Sequence, residues 1–244
     1  PASDFIPWPE VAAYQGTLPD VKVDPDADAC IFYTSGTTGF PKGAQLTHRG
    51  CVANLLNMQF AAASTALAMQ RATGIEPPAT PPVPVTLVTT PLFHVTANNC
   101  AAYAATAVGG ALVLMYRWDA GEALRLIEKE RVTGMSGVPV MARELINHPT
   151  FPTTDTSSLL ALGGGGAQVP PDLVLKIDAA AATARPNTGY GMTETCGIIT
   201  SIAGDFFVDK PDSAGPYMPN FEAKCVDDNG QAVPKGEVGE LWVR

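Results

Sequence analysis

The chain is short of positive charge, of histidine and of aromatic rings. Lysine and arginine number 15 against 24 acidic residues, for a formal net charge of −9. Non-specific nucleic-acid binding draws its affinity from Lys and Arg on phosphates, so no nucleic-acid partner is expected. The three histidines (48, 94 and 148) have no zinc-ligand spacing. The five cysteines are odd in number and contain no Cys-x-x-Cys. They read as reduced thiols of a cytoplasmic protein, mostly small core residues, and not as a disulfide framework. No basic signal peptide opens the chain. Neither the Gly-Lys-Ser/Thr of a Walker A loop nor the Gly-x-Gly-x-x-Gly dinucleotide fingerprint is present at its one hydroxyl-rich glycine loop.

Long apolar runs are scarce too. Thr96–Tyr116 carries no charge, but Gly109-Gly110 splits it. A buried helix followed by a buried strand accounts for it better than a membrane span, which needs ~20 strongly apolar residues. Two calcium-like signals also fail. Asp24, Asp26 and Asp28 are followed by Ala29 where the sixth position needs glycine, and by Ser35 where the twelfth needs glutamate. Asp227-Asp228-Asn229-Gly230 reads as turn chemistry.

What is present is a globular composition: 244 residues, 46% hydrophobic and 16% charged. That length buries well over half of the unfolded surface without crosslinks. Short apolar runs alternate with helical periods. Ala29–Tyr33 reads as a buried strand. Thr47 caps a helix carrying Val52, Leu55, Leu56, Gln59 and Phe60. Val85–Thr89 is a second strand, Ala97–Val108 a helix stopped at Gly109-Gly110, and Ala111–Tyr116 a third strand. Asp119 and Glu122 form a capping box ahead of Leu124, Ile127 and Val132. Pro139 and Pro170-Pro171 suit helix first turns. Leu159–Leu162 is a strand running into Gly163–Gly166. The alternation predicts an α/β fold, layered and largely parallel, with flanking helices over residues 1–212. From 213 to 244 a β-rich segment is expected, with Phe221–Val226 and Glu237–Arg244 flanking a turn. The prolines at 77, 78, 81, 82 and 84 mark a surface loop.

The densest chemistry lies at residues 33–43, Tyr-Thr-Ser-Gly-Thr-Thr-Gly-Phe-Pro-Lys-Gly. Thr34, Ser35, Thr37 and Thr38 alternate with Gly36 and Gly39, and Lys42 adds a cation. Glycines let backbone N–H groups approach an anion, and hydroxyls add donors, so this is phosphate-holding chemistry. The alternative is a polar turn between a strand and a helix.

This loop resembles the signature loop of the adenylate-forming superfamily: acyl-CoA synthetases, luciferases and peptide-synthetase adenylation domains. Further motifs follow in the family's order: Pro91-Leu-Phe-His-Val95, Gly163-Gly-Gly-Gly-Ala167, Thr188-Gly-Tyr-Gly-Met-Thr-Glu194, Ser213-Ala-Gly-Pro216 and Gly236-Glu-Val-Gly-Glu-Leu241. The wording is most like that of fatty acyl-CoA ligases. The resemblance implies ATP-dependent activation of a carboxylic acid to acyl-AMP, then transfer to coenzyme A with release of AMP. It implies that Thr34 to Gly39 and Lys42 hold the β and γ phosphates. Gly165, Gly166, Ala167, Thr188, Tyr190, Gly191 and Met192 would hold the adenylate. Thr193 would donate to the α-phosphate, and Glu194, with Thr38, would bind Mg²⁺. His94 would lie near the substrate carboxylate or gate the acyl tunnel, against the plainer reading of a satisfied structural histidine. Val138 and Pro139 beside the glycines suggest an apolar acid, and a lipid substrate would allow peripheral membrane association. Three departures stand out. Thr188 replaces a common glutamine, the 61–84 segment is long, and the family's ribose-binding aspartate, hinge and C-terminal lid domain with its lysine are not found. The chain therefore reads as the central part of a longer ligase, binding but not completing the reaction. The rival readings are a non-catalytic nucleotide- or acyl-binding paralogue, and an acyl-AMP or aryl-acid ligase.

Overall fold

The computed structural model describes residues 7–17, 19–35, 39–76, 78 and 82–244, with the backbone alone at Ser136. A short helix α1 (Trp8–Ala12) precedes a hairpin of β1 (Asp28–Thr34) and β2 (Lys42–Thr47), which runs directly into the long helix α2 (His48–Thr73). Next come β3 (Val85–Val88), a π-helical segment (Thr96–Ala102) continuing into α3 (Tyr103–Ala107), then β4 (Ala111–Leu114), α4 (Ala120–Glu130) and β5 (Gly134–Gly137). After these lie α5 (Pro139–Ile146), β6 (Ala161–Gly165), α6 (Pro171–Ala180), β7 (Arg185–Met192), β8 (Gly197–Ala203) and α7 (Asp205–Asp209). A second antiparallel pair, β9 (Ala223–Val226) and β10 (Glu240–Val243), closes the order.

The central sheet has the strand order β4-β3-β5-β6-β7-β8. Every neighbouring pair is parallel except β7 with β8. The chain steps from β3 outward to β4, then crosses back to β5 on the other side of β3. The order therefore reverses between β3 and β5, and an open α/β sheet binds ligands outside the carboxyl ends of its strands at such a point.

One face of the sheet is closed by α4, α5, α6 and α7. Leu87, Leu124, Ile127, Leu145, Leu162, Leu173, Ile177 and Phe207 form one core there, each at most 1% exposed. Local signals set these helices. Asp119 caps α4, its carboxylate accepting from the Glu122 N–H at 2.8 Å. Pro139 and Pro171 occupy first turns. The expected capping box is only half formed, because Glu122 turns to Arg125 in an ion pair at 2.7 Å.

The hairpin corrects one expectation, and α2 buries a face that its large apolar residues do not mark. β1 is not a buried strand: Phe32 packs inward with Leu46, while Ile31 and Tyr33 are exposed. A two-stranded hairpin has one face to bury, so alternate residues face water. Thr47 does cap α2, accepting from the Gly50 N–H at 3.1 Å. The buried stripe of α2 is Cys51, Asn54 and Asn57, however, and Val52, Leu56 and Phe60 are exposed. Its inner side meets backbone groups of the β7–β8 connection, which need hydrogen-bond partners when dry. Among the described residues, α2 is also the one helix long and apolar enough to cross a membrane. The 96–116 run is divided at Gly109 (φ +70°) as expected, but β4 is an edge strand, mostly exposed and not buried. The last parallel strand of the glycine region begins at Ala161, two residues later than expected, and Gly163–Gly165 lie inside it.

Candidate active site

The carboxyl ends of β3, β5, β6 and β7 lie along one edge, and the loops leaving them carry most of the chemistry. Beyond β3 comes Pro91–Val95, beyond β5 Val138-Pro139, beyond β6 Gly166-Ala167, and at the end of β7 Tyr190–Met192. Glycine lets these ends crowd. A Cβ on Gly163 would stand 2.4 Å from the Asn187 carbonyl oxygen, and one on Gly164 would stand 3.2 Å from the Gly137 carbonyl oxygen. Gly166 has φ +73°, so the strand turns sharply where it leaves the sheet.

A cleft of ≈ 440 Å³ opens between the β6 and β7 ends, lined by Gly166, Gln168, Thr188, Tyr190, Phe207 and Asp212, among others. That size lies within the range of small-molecule sites, ~300–1,000 Å³. Tyr190 is 43% exposed and offers a ring face to it. The Thr188 hydroxyl is already engaged, donating to the Gly164 carbonyl at 2.9 Å. It therefore braces β7 to β6 while its other atoms line the cleft. Gln168, Phe207 and Asp212 were not anticipated. Asp212 directly precedes the Ser213–Pro216 block, the one signal that could have drawn attention to it.

Past Tyr190 the β7–β8 register shifts, and Gly191 lies so close to the return strand that a Cβ there would meet the Gly197 carbonyl oxygen at 1.9 Å. A single 3₁₀ turn follows, Thr193–Thr195, with the Met192 N–H donating to the Thr195 hydroxyl at 3.1 Å. Thr195 also bonds the Gly197 carbonyl at 2.9 Å. This turn holds Glu194 exposed and Thr193 half-buried. Cys196 leaves it at φ +61°, in the left-handed region uncommon for a side-chain-bearing residue.

His94 is exposed, and its Nδ1 accepts from the Thr96 N–H at 3.2 Å, at the start of the 96–102 segment. That bond fits the plainer structural reading and leaves the ring at the β3 end of the crevice. The β1–β2 loop belongs to a hairpin and not to a strand-to-helix turn. Thr34 bonds the Lys42 carbonyl across it at 3.4 Å, while Ser35, Gly39 and Lys42 are exposed. Gly39 has φ +88° with open space around it. Gly36, Thr37 and Thr38 lie outside the described residues.

All five thiols are free. Cys30, Cys51 and Cys196 pack together behind the Glu194 turn, and burial pushes each thiol up, Cys30 to about 11. No cluster of three or more metal-ligating side chains occurs among the described residues. The rejected aspartates are engaged otherwise, Asp26 with Arg49 at 2.7 Å and Asp28 with Gln45 at 2.6 Å.

Fold and site together define a doubly wound α/β protein with a nucleotide-sized cleft at its switch-point edge. The chain belongs to the AMP-binding enzyme family, whose model matches residues 2–244. It is 34% identical over 241 residues to a feruloyl-CoA synthase of Amycolatopsis sp, covering 98% of this chain and 45% of that protein. It is 32% identical to 4-coumarate–CoA ligase 1 of Solanum tuberosum, covering 93% and 40%. Among solved structures it resembles the inhibitor-bound N-terminal domain of FACL13 from Mycobacterium tuberculosis (TM-score 0.78, 26% identity, 97% and 54% covered). It also resembles the long-chain-fatty-acid-CoA ligase FadD1 from Archaeoglobus fulgidus (TM-score 0.72, 30%, 92% and 43%). A third is the o-succinylbenzoate coenzyme A synthetase MenE of Bacillus subtilis in complex with ATP and magnesium (TM-score 0.69, 27%, 94% and 44%). The chain spans less than half the length of the curated relatives it matches.

Proposed function

We propose that this chain carries the nucleotide- and acid-binding part of an acid–CoA ligase. The protein converts a carboxylic acid and ATP to acyl-AMP and pyrophosphate, then exchanges AMP for coenzyme A. The observation that carries the reading is the cleft between the β6 and β7 ends, lined as far as Gly191, with the Thr193–Thr195 turn following two residues on in the chain. In this reading Tyr190 takes the adenine against its ring, and Gly191 leaves room for the nucleotide. Thr193 donates to the α-phosphate, while Thr34, Ser35, Gly39 and Lys42, with residues 36–38, hold the outer phosphates. Most of the catalysis is positioning and charge stabilisation, since the carboxylate is itself the nucleophile.

The donor set suits Mg²⁺: an exposed carboxylate, Glu194, beside a hydroxyl, with phosphate oxygens to complete the shell. When bound, the ion would offset charge on the phosphates. The acid is apolar in this proposal, because Val138, Pro139 and small residues line the β5 and β6 ends. A fatty acid is one candidate, supported by the likeness to FadD1. An aryl acid is the second, supported by the 34% identity to a feruloyl-CoA synthase. Residues 213–244 are proposed to begin a separate β-rich subdomain, and the protein to work in the cytoplasm.

The test is ATP–pyrophosphate exchange by the full-length protein with short, medium, long and aromatic acids, with and without coenzyme A. Exchange that depends on one acid class supports the reading and names the acid, and a CoA thioester supports the second step. ATP binding with no exchange for any acid would favour a binding module instead.

A further inference from the structure

Two asparagines are buried in the contact between α2, the π-helical segment and the start of β8. Asn54 is 2% exposed and Asn99 0%. Burying an amide is costly unless its groups are paired, and these are paired to one short stretch of backbone. The Asn54 Oδ1 accepts from the Ile198 N–H at 3.0 Å. The Asn99 Nδ2 donates to the Cys196 carbonyl at 2.9 Å. The Asn54 Nδ2 donates in turn to the Asn99 carbonyl at 3.3 Å, and the Asn99 Oδ1 accepts from Asn98 at 3.0 Å. The carbonyl and the N–H so captured flank Gly197, and Gly197 packs so tightly that a Cβ would meet the Asn54 Oδ1 at 2.1 Å.

The captured stretch is the exit of the Glu194 turn. It contains Cys196 at φ +61°, uncommon for a side-chain-bearing residue, followed by Gly197 at φ +150°, which glycine tolerates. The two hydrogen bonds hold the backbone on either side of that glycine. Asn99 also sits on the segment whose first N–H, that of Thr96, donates to the His94 ring. One amide therefore links the His94 end of the crevice to the Glu194 end.

We propose that Asn54 and Asn99 are positioning residues. They clamp the Cys196–Ile198 backbone so that Thr193 and Glu194 stand at a fixed height over the cleft. Neither touches a substrate; both act through the turn. This rests on the adenylation reading of that turn and adds the residues that set its geometry.

The clamp makes a distinctive forecast for Asn99→Asp. A neutral carboxyl keeps an O–H that can donate to the Cys196 carbonyl, whereas an ionised one has no donor and faces that oxygen with like charge. Burial favours the neutral form. The titratable groups against the pair are the thiols of Cys51, Cys100 and Cys196. Burial pushes all three up, Cys100 to about 11, so they stay neutral.

The experiment uses the full-length protein and three forms: wild type, Asn99→Leu and Asn99→Asp. Amide hydrogen exchange is followed in residues 193–200 and, as a control for the fold, in residues 120–130. ATP–pyrophosphate exchange is measured against acid and Mg²⁺ concentration from pH 6 to 8.5. Asn99→Leu is expected to lose protection at least tenfold in 193–200 and none in 120–130. Its kcat is expected to fall at least tenfold with the KM for the acid within twofold. Asn99→Asp is expected to recover toward wild type as pH falls, read as the variant-to-wild-type ratio at each pH. Unchanged protection in 193–200, an unchanged kcat, or loss of protection throughout the chain would each overturn the proposal. A wild type that shows no exchange with any acid overturns the adenylation reading instead, and the hydrogen-exchange comparison still judges the clamp.

Discussion

The face of the sheet under α4, α5 and α6 is closed by aliphatic side chains, while the region behind β8 is closed by asparagines and thiols. In the first, Leu124, Ile127, Leu145, Leu162 and Leu173 pack from helices and strands that follow one another in the chain. In the second, Cys51 and Asn54 come from α2, Asn99 from the π-helical segment and Cys196 from the turn before β8. Apolar packing is non-directional and tolerates small shifts. Hydrogen bonds demand distance and angle. The first region therefore supplies stability, and the second supplies the geometry of one turn. The difference teaches where a substitution should cost folding and where it should cost chemistry.

The largest expected effect lies on the aliphatic side. Leu124→Ala removes a side chain 1% exposed at the centre of that core. It should lower stability by about 2–5 kcal/mol, read from denaturant unfolding, and leave kcat of the folded enzyme unchanged. A variant that keeps its stability but loses activity would erase the division between the regions.

Glu194→Ala should do the reverse. Its carboxylate is exposed and held on the 3₁₀ turn, so the fold has little stake in it. Adenylation should fall by roughly 100-fold or more, the scale of losing one charge-stabilising group, with the melting temperature unmoved. An unchanged exchange rate would remove Glu194 from the proposed mechanism.

Gly191→Ala tests the link between the turn and its support. The added Cβ would meet backbone, the Gly197 carbonyl oxygen at 1.9 Å, so no flexible side chain can yield. The β7 and β8 ends must part. Exchange should fall by at least about tenfold, since a shift of ~1 Å at a reacting centre can cost as much as 100-fold. Full activity in this variant would mean that the turn's height over the cleft does not matter.

Much of the aliphatic side was readable from the sequence. Asp119, Pro139 and Pro171 announced helix starts, Gly109-Gly110 announced a stop, and the alternation of elements announced a layered, largely parallel α/β fold. The glycines at 163–165 lie inside β6, the hydroxyl-rich loop joins a hairpin, and Thr188 spends its hydroxyl on Gly164. The other region was hidden for physical reasons. Its bonds join residues 45, 97 and 144 apart in the chain, and periodicity reports only neighbours one or two turns away. The apolar residues of α2 do not mark its inner face: Val52, Leu56 and Phe60 are exposed, whereas the buried side satisfies backbone groups and uses Asn54. The isolated asparagines in otherwise apolar helical stretches, at 54, 57, 98 and 99, were the available signal.

The smallest expected effect returns to the aliphatic side, at its rim. Asp155 accepts from Ser157 and pairs with Arg131 at 2.6 Å, next to the start of β5. Hydrogen bonds from Ser157, then from Arg131, lower its carboxyl from 3.8 to about 2. A lowered pKa in the folded state means that the unfolded chain binds the proton first as pH falls. The contribution is therefore complete above about pH 4 and is lost as pH drops toward 2, never on the alkaline side. Asp155 and Arg131 are both exposed, so solvent and salt screen the pair and the effect is small. Asp155→Asn should flatten the acid limb of a stability–pH curve between those values, so that the variant lies slightly below wild type at neutral pH and meets it as pH drops toward 2. The same substitution should not alter hydrogen exchange in residues 193–200, because nothing at this rim touches the asparagine clamp. A change there would mean that the two regions share more than a sheet.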